Sequence, residues 1–358
     1  MTKSKRTVLH VVDRTGGGVP IAAATYIRNS PNGFHHVVLV PVAEPAQEAF
    51  WRDAGAEVRN LRSRRHLERI GEVRTVCSEV APDVIHAHSS YAGAYARLAV
   101  RRRRWRSIVY TPHCFAFERT DISALSRVLF YLIEAALAWN TDVVAACSPR
   151  ERRLATRLNR ALRSVVVPNV SSMTGSPARP DPDGRLRIGM IGRISPQKAP
   201  ADFVREITRA KATHAEVAAI WIGDGEAGSK KDLTAAGVDV TGWVHDEGEL
   251  RSLISGLDVY LHTAAWEGFP IALLDALRLE VPALVSEIKP FADLPRELTI
   301  QGGLTQMLTA STSSADFEAW RRTVLDLWAS YLQDNISSVQ TRRLREVWAV
   351  ADRLEDDE

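Results

Sequence analysis

The stretch Trp266-Glu267-Gly268-Phe269-Pro270-Ile271-Ala272-Leu273-Leu274-Asp275-Ala276 determines how this chain is interpreted. Apolar runs, Leu257–Thr263 and Val281–Ser286, flank it, so the pattern predicts a helix between two strands. Pro270 suits the first helical turn, whose N–H groups have no helical partner. The free N–H groups that follow, with the positive end of the helix dipole, favour an anion. An anion-binding helix start, with the acid Glu267 before it and the acid Asp275 on the helix, suits a ligand that carries both phosphate and hydroxyl groups, such as a nucleotide-sugar.

A second anion-binding segment is Gly192-Arg193-Ile194-Ser195-Pro196-Gln197-Lys198, which follows a predicted strand. Arginine offers a planar fork to phosphate oxygens, and lysine offers a mobile point charge. In a transferase without a metal, Arg193 and Lys198 would stabilise a departing nucleoside diphosphate. These two cations are therefore candidate catalytic residues, and no metal or other cofactor is expected.

Further short motifs follow one another in a defined order along the chain. They are Gly16-Gly17-Gly18, Asp83-Val84-Ile85-His86-Ala87-His88, Thr111-Pro112-His113, Val167-Pro168-Asn169, Ile222-Gly223-Asp224-Gly225 and Gly242-Trp243-Val244. With the two segments above, they resemble the retaining glycosyltransferases of family 4 over about residues 7–290, with Glu267 and Asp275 matching the E-x7-E element. The resemblance implies an α/β fold of the GT-B type, with two Rossmann-like doubly wound domains that face a central cleft.

The resemblance also implies roles for individual residues. Glu267 would contact the donor sugar near the reaction centre, Asp275 would hold the nucleotide ribose, and His113 would lie near the primary hydroxyl and the reacting carbon of the sugar. Donor contacts are implied for Gly16, Gly17, Gly18, Gly192, Gly242, Val244, Gly268, Phe269, Pro270 and Ile271. The chain departs from the family pattern at Cys114, Val170, Asp275 and Glu280.

Alternating strand and helix patterns predict two arrays of parallel strands. The predicted strands are Thr7–Val12, His35–Val42, Glu57–Leu61, Asp83–Ala87, Ser107–Thr111, Asp142–Ala146, Ser164–Pro168, Leu186–Ile191, Val217–Ile222, Val238–Gly242, Leu257–His262 and Val281–Val285. A segment rich in Pro, Gly and Ser, residues 171–184, predicts a linker between an acceptor-binding domain (1–170) and a nucleotide-sugar-binding domain (185–338). By resemblance, a last helix, about 339–358, packs back on the first domain.

Three further local patterns lead to structural expectations. Asp121–Trp139 is apolar nearly all round, which predicts a buried or interface helix. Ser148-Pro149-Arg150-Glu151 has the form of a capping box and predicts a helix start. His86 and His88 share one strand face, but without a third ligand in view we expect packing rather than a metal site.

Charge divides the chain into two contrasting halves. Residues 1–180 carry 27 Lys and Arg against 14 Asp and Glu, whereas the whole chain has 46 against 43. Arginines cluster at Arg62–Arg69 and Arg101–Arg106, either as solvated helix ends or as a surface for anionic lipid. The three cysteines lack a C-x-x-C spacing, so we expect reduced, buried thiols in a cytoplasmic protein. No apolar run is long enough to span a bilayer.

These observations predict a retaining glycosyltransferase that moves a sugar from a nucleotide-sugar, with UDP as the expected nucleotide, to an acceptor hydroxyl. The expected acceptor is a lipid-linked or polyanionic glycan of a cell-surface polysaccharide or glycolipid, reached at the inner membrane face. Nucleic acid is not an expected partner, since no nucleic-acid motif accompanies the charge. Two alternatives stay open: a nucleotide-sugar 2-epimerase of the same architecture, and a non-catalytic nucleotide-sugar-binding protein.

Overall fold

The computed structural model describes residues 5–41, 44–102, 106–173, 185–213 and 216–349. The chain divides into two compact units. The first extends to Val170 and includes the segment that begins at Asp334, and the second is Ser171–Gln333. Of the predicted linker, residues 174–184 lie outside the described residues, and 171–173 belong to the second unit.

Strands form where the sequence predicts them, each within two residues of its expected bounds. The strands are β1 Arg6–Val12, β2 Phe34–Pro41, β3 Ala56–Leu61, β4 Val84–His88, β5 Ser107–Thr111, β6 Val143–Ala146, β7 Arg163–Val166, β8 Leu186–Ile191, β9 Val217–Ile222, β10 Val238–Val240, β11 Val259–His262 and β12 Ala283–Val285. Strands covered by helices on both faces need apolar side chains on both, which explains the unbroken runs.

Helices occupy the segments between the strands and the end of the described chain. They are α1 Gly18–Arg28, α2 Pro45–Asp53, α3 His66–Val80, α4 Ser90–Ala99, α5 Ala124–Ala138, α6 Pro149–Leu158, α7 Pro200–Thr213, α8 Ala227–Ala235, α9 Glu247–Ser255, α10 Ile271–Arg278, α11 Ile300–Ala310, α12 Ser314–Tyr331 and α13 Ser337–Trp348. Among the described residues, no helix combines the length and the apolar character needed to cross a bilayer.

Both sheets are doubly wound, as expected for two Rossmann-like units. The order in the first unit is β3-β2-β1-β4-β5-β6-β7, and in the second it is β10-β9-β8-β11-β12. The described strands pair in parallel, for example with His10 opposite His86 in the first sheet. The chain therefore reverses its direction of winding between β1 and β4, and again between β8 and β11. In open α/β sheets, ligands bind beyond the carboxyl ends of the strands at such switch points.

Helix α13 belongs to the first unit. Its Trp348 is fully buried in a core cluster with Val8 and Tyr26. Gln340 Nε2 donates to the carbonyl oxygen of Pro168 at 2.8 Å, and Gln340 Oε1 accepts from Asn29 Nδ2 at 2.7 Å. The expected last helix therefore begins two residues earlier than predicted, and residues from 350 onward lie outside the described chain.

Of the two alternatives predicted for the segment of helix α5, a buried or an interface helix, the structure contradicts the buried one. Its buried residues are Glu134 and Ala138, while Leu125 is 79% exposed and Trp139, which follows the helix, is 73% exposed. The buried side carries charge, because Glu134 forms an ion pair of 2.9 Å with Arg97 on α4. The sequence of α5 is apolar as predicted, but its large apolar side chains face outward.

The two arginine clusters lie at opposite kinds of helix end. Arg62–Arg69 leads into the start of α3, where the helix dipole is positive, so an interpretation based on the negative helix end is wrong for this cluster. Arg101 and Arg102 follow the end of α4, and residues 103–105 lie outside the described chain. Cys77 and Cys147 are buried and form no disulfide, as expected, whereas Cys114 is only half-buried. Burial raises the pKa of the Cys77 thiol to about 11.

Candidate functional site

In the second unit, two predicted site residues meet at the switch point between β8 and β11. Lys198 follows β8 in a short 3-10 turn, and Glu267 lies in the loop after β11. Lys198 Nζ donates to Glu267 Oε1 at 2.6 Å, and the side chains are 15% and 10% exposed. The Nε2 atom of His262 lies 3.9 Å from the same Glu267 oxygen. Burial, reinforced by the Lys198 charge, holds the His262 pKa well below its usual range, so this imidazole is neutral.

The two segments that carry this pair are joined by hydrogen bonds. Thr263 Oγ1 donates to the carbonyl oxygen of Lys198 at 3.0 Å, and the backbone N–H of Ala265 donates to the carbonyl oxygen of Gln197 at 2.8 Å. Gln197 Nε2 donates in turn to the carbonyl oxygen of Trp266 at 3.2 Å. The cation and the acid are therefore held by a connected turn and loop rather than by two independent segments.

Glycines allow the backbone segments that follow β8, β9 and β10 to lie close together at one edge of the second sheet. Gly192, after β8, has φ 136°, and a Cβ there would lie 2.9 Å from Lys198 Cε. A Cβ on Gly223 would lie 2.3 Å from the carbonyl oxygen of Gly192, a distance that no side chain tolerates. Gly223 also forms a bridge with Gly242. The structure thus brings together three motifs that are distant in sequence.

The predicted helix start is present, with one shift, and its binding of an anion stays a prediction. Helix α10 begins at Ile271 and Pro270 is its N-cap, so proline precedes the first helical position instead of occupying it. Gly268, Phe269 and Pro270 are buried. Because α10 connects the parallel strands β11 and β12, it begins at the carboxyl edge of the sheet, and its N-terminal N–H groups lie at that edge.

Two other donor-site candidates lie differently. Arg193 is exposed beyond Gly192, whereas Lys198 is half-buried. Val244 is half-buried, and its neighbour Trp243 is 50% exposed.

Asp275 is buried on α10 and already has hydrogen-bond donors. Ser171 Oγ donates to Oδ1 at 2.7 Å and the backbone N–H of Ser172 donates to the same oxygen at 2.8 Å. Ser172 Oγ lies 3.1 Å from Oδ2. Burial raises the Asp275 pKa, and these donors oppose that shift. The carboxylate thereby anchors the start of the connecting segment to the second unit, and its role at a ribose stays a prediction.

In the first unit, His113 follows the end of β5. His113 has φ 51° and Cys114 has φ 94°, so the backbone turns through two left-handed residues where glycine is favoured. Glu151, buried on α6, accepts the backbone N–H of Cys114 with one carboxylate oxygen and that of Cys147, at 2.9 Å, with the other. Burial raises the Glu151 pKa, and those two N–H donors counteract it.

Sequence reasoning missed Glu151 as a supporting residue. The predicted helix start is confirmed, because Ser148 is the N-cap of α6 and its hydroxyl accepts from the backbone N–H of Glu151. The capping-box pattern was the available signal. It indicated the helix start, but the second bond of Glu151, to the loop after β5, depends on tertiary structure.

His113 is linked to a cluster of buried histidines near the first switch point. Its Nε2 lies 3.2 Å from His88 Nδ1, and burial with the nearby Arg14 charge lowers the His113 pKa to about 3. Gly16 and Gly17 lie in an exposed loop between β1 and α1, Gly18 is the first residue of α1 and is also exposed, and Gly17 has φ 89°. The glycine loop and the histidine thus follow strands β1 and β5, on either side of β4.

The structure supplies a third imidazole beside His86 and His88, which sequence reasoning did not see. Ligand-type nitrogens of His10, His86 and His88 all lie within 4.8 Å of one another. His86 nevertheless uses both nitrogens, since Nδ1 accepts from Trp348 Nε1 at 3.2 Å and Nε2 lies 2.8 Å from Thr111 Oγ1. Three neutral ligands would also bury a dication without adding an anion. The residues therefore fit a hydrogen-bonded cluster better than a metal, and metal independence stays a prediction.

Comparison with known proteins agrees with this geometry. Residues 17–170 match the family model described as a glycosyl transferase 4-like domain, and residues 185–329 match glycosyl transferases group 1. The chain is 26% identical over 321 residues to an uncharacterized 41.2 kDa protein in the cps region of Klebsiella pneumoniae, covering 84% of this chain and 85% of that protein. It is 28% identical to the Escherichia coli UDP-Gal:alpha-D-GlcNAc-diphosphoundecaprenol alpha-1,3-galactosyltransferase, over 58% of each protein.

Among solved structures, Anabaena HepE in complex with UDP and glucose superposes with a TM-score of 0.74 at 15% identity. The match covers 95% of this chain and 98% of that one. At this identity the likeness establishes the fold, which is the two-domain, Rossmann-like GT-B type.

Proposed function

Because the chain belongs to the glycosyltransferases, with a 4-like domain followed by a group 1 domain in a GT-B fold, we propose that it transfers a hexose from a UDP-sugar to an acceptor hydroxyl with retention of configuration. The observation that carries the proposal is the Lys198–Glu267 pair at the β8/β11 switch point, beside the start of α10. A cation, an acid and free helical N–H groups match the parts of a nucleotide-sugar.

The donor diphosphate would bind Lys198 and the N–H groups that begin with Ile271. Lys198 would exchange part of its bond with Glu267 for phosphate oxygens, and the mobile ammonium group suits that exchange. Arg193, exposed on the adjacent loop, would close on the same anion. These donors stabilise the charge that develops on the leaving diphosphate, which is where catalysis by hydrogen bonding is strongest.

Glu267 would accept hydrogen bonds from the sugar hydroxyls rather than attack the sugar. Its Oε1 is engaged by Lys198 at 2.6 Å, and a carboxylate held by an ammonium group is a weak nucleophile. We therefore favour a front-face reaction, in which the acceptor hydroxyl attacks on the side of the leaving group and a diphosphate oxygen takes its proton. No resident metal is part of this proposal.

The choice of nucleotide and acceptor is supported by the relatives. UDP or UDP-Gal is named for the HepE complex and for the E. coli enzyme, and the latter acts on a diphosphoundecaprenol-linked acceptor. The cps region of the K. pneumoniae relative is consistent with a role in cell-surface polysaccharide synthesis. A glycan acceptor on a polyprenyl diphosphate is the substrate class that we propose, at the cytoplasmic face of the membrane.

A surface of the first unit suits contact with such a membrane. Among the described residues, seven of twelve exposed large hydrophobic side chains lie on α5 or directly after it. The neighbouring helix α6 exposes Arg152, Arg153 and Arg157, and Tyr131 on α5 donates to the carbonyl oxygen of Arg157 at 3.3 Å. Apolar side chains beside arginines match an anionic lipid surface. We call these two helix faces the α5–α6 surface.

The direct test is turnover with purified donors. We expect UDP to raise the melting temperature more than GDP or ADP does. A ligand at 100 times its Kd stabilises the folded protein by about 2.7 kcal/mol, which is large enough to measure. With a UDP-hexose and a polyprenyl-diphosphate glycan, NMR of the initial product should show the anomeric configuration of the donor. An inverted product would exclude retention, and release of a free epimerised donor without acceptor would favour the epimerase alternative.

A further inference from the structure

Four histidines of the first unit are joined ring to ring. His36 Nδ1 lies 3.0 Å from His10 Nε2, and His10 Nδ1 lies 3.0 Å from His88 Nε2. His88 Nδ1 lies 3.2 Å from His113 Nε2. At the far end, His36 Nε2 lies 2.8 Å from Ser30 Oγ. Each link joins Nδ1 of one ring to Nε2 of the next, so the chain has the same polarity from end to end.

The protons in this chain are interdependent. A neutral imidazole has one N–H and one lone pair, so a ring that donates to one neighbour must accept from the other. The four rings therefore share two consistent arrangements: all protonated at Nε2, or all protonated at Nδ1. A mixed arrangement would place two N–H groups or two lone pairs against each other inside the core, which costs roughly 1–3 kcal/mol for each unpaired group.

Ser30 selects between the two arrangements. Its hydroxyl donates to the carbonyl oxygen of Pro31 at 3.1 Å. The Pro31 carbonyl can only accept, so we assign the single proton of the Ser30 hydroxyl to that bond, which makes Ser30 Oγ the acceptor of a proton that His36 carries on Nε2. Repeating the same step through His10 and His88 leaves a proton on His113 Nε2 and a lone pair on His113 Nδ1.

We propose that Ser30, His36, His10 and His88 are positioning residues that fix His113 in its Nε2-protonated tautomer, so that Nδ1 presents a hydrogen-bond acceptor to a ligand hydroxyl. That a ligand with such a hydroxyl binds at His113 rests on the proposed function. The opposite arrangement would present an N–H group, which cannot accept a hydroxyl proton. The hydroxyl of Ser30 thus determines hydrogen bonding four links away.

The linked histidines are neutral, which a single fixed tautomer requires. Burial is the first cause that lowers the pKa of His10 and His88 well below the usual value, and it lowers the pKa of His36 to about 4. His86, although adjacent, does not join the chain. Trp348 donates to its Nδ1, so its remaining proton is on Nε2 and faces Thr111.

The test is the protonation of the His113 ring in protein labelled with 15N-histidine. Two-bond 1H–15N correlation spectra distinguish a ring nitrogen that carries a proton from one that does not, and the spectrum of His113→Gln identifies the signals. We expect wild-type His113 to be protonated at Nε2. Ser30→Ala should produce a mixture of tautomers at His113, whereas Ser30→Thr, which keeps the hydroxyl, should match the wild type. His36→Phe, which breaks the first ring-to-ring link, should act like Ser30→Ala.

Two results would overturn the inference. One is a wild-type His113 that carries its proton on Nδ1. The other is an unchanged His113 spectrum in both folded Ser30→Ala and folded His36→Phe. Neither measurement uses turnover, so an absence of transferase activity would reject the proposed function and leave the tautomer result as it stands.

Discussion

The Nζ atom of Lys198 lies 2.6 Å from Oε1 of Glu267, at the carboxyl edge of a sheet whose winding reverses between the two strands that precede these residues. The pair links the group that would stabilise a leaving diphosphate to the group that would bind the sugar. A substitution at either position therefore affects both functions, and the choice of variant must separate them.

Lys198→Ala is expected to lower kcat by about 10²–10³-fold, the usual effect of removing one donor to a developing oxyanion. Lys231→Ala removes the same charge from an exposed position on α8 and should leave kcat unchanged. Steady-state rates with saturating donor would measure both. If Lys198→Ala turned over at the wild-type rate, this lysine would not stabilise the leaving group.

Membrane contact through the α5–α6 surface is expected to need both the apolar side chains of α5 and the arginines of α6. Leu129→Glu should weaken binding to vesicles by loss of apolar burial, and the pair Arg152→Glu with Arg153→Glu should weaken it by charge reversal. Flotation with vesicles of phosphatidylglycerol, at low and high salt, would measure these effects. Arg205→Glu, an exposed change on α7 of the second unit, is the matched control. Equal flotation with neutral vesicles would argue against a charge-dependent surface.

Arg97→Met should destabilise the protein by about 3–5 kcal/mol, because it leaves the buried Glu134 carboxylate without its cation. Tyr110 also donates to Glu134, at 2.9 Å, and one neutral donor does not replace the guanidinium. The double variant Arg97→Met with Glu134→Leu should be closer to the wild type. Urea unfolding of the three proteins would measure this, and a double variant no more stable than Arg97→Met would contradict the explanation.

Stability should fall as pH decreases below about 6.5. The folded-state pKa values of His113, about 3, and His36, about 4, are depressed, so the unfolded chain binds more protons across that interval. Each such histidine contributes up to about 1.4 kcal/mol per pH unit. Unfolding free energies between pH 8 and pH 5 would give the slope. His36→Phe should reduce this slope by about the contribution of one histidine. An unchanged slope would mean that His36 is charged in the folded protein.

Glu280→Gly is expected to raise the free energy of unfolding by up to about 1 kcal/mol. Glu280 has φ 58°, where a side chain other than glycine costs about 1–2 kcal/mol, while glycine adds some entropy to the unfolded chain. The guanidinium of Arg321 donates to the carbonyl oxygen of this residue at 2.7 Å, a bond that the variant keeps. Glu280→Ala, which removes the carboxylate but not the strain, is the control. Equal stability of the two variants would refute the strain argument.

Strands such as β2 could be predicted because a parallel sheet covered on both faces imposes an unbroken apolar run, which is visible without any partner. The edge strands β3 and β10 carry exposed polar residues, and they could be predicted only from the alternation of strand and helix patterns. The two cations after Gly192 and the acid in the loop after β11 could be predicted for a similar reason. Their positions in the sequence follow directly from strand ends, which topology brings to one edge.

Other features depend on contacts that the sequence does not encode locally. Composition indicated that α5 is apolar, but only the position of Arg97 on a neighbouring helix explains why the side bearing Glu134 turns inward. The link of His10 to His88 depends on the register of β1 against β4. The bonds of Asp275 to Ser171 and Ser172 join positions about a hundred residues apart.

The packing of Trp348 beneath the first sheet has a consequence for biosynthesis. The histidine cluster and the apolar residues around it, Val8 among them, pack against Trp348, which is nearly the last described residue of the chain. While the ribosome is still translating the intervening segment, the first unit lacks Trp348, and the histidine rings that contact it are open to water. Its maturation must therefore wait for the second unit to be synthesised, and a nascent chain arrested before α13 should be more susceptible to proteases in its first half than in its second.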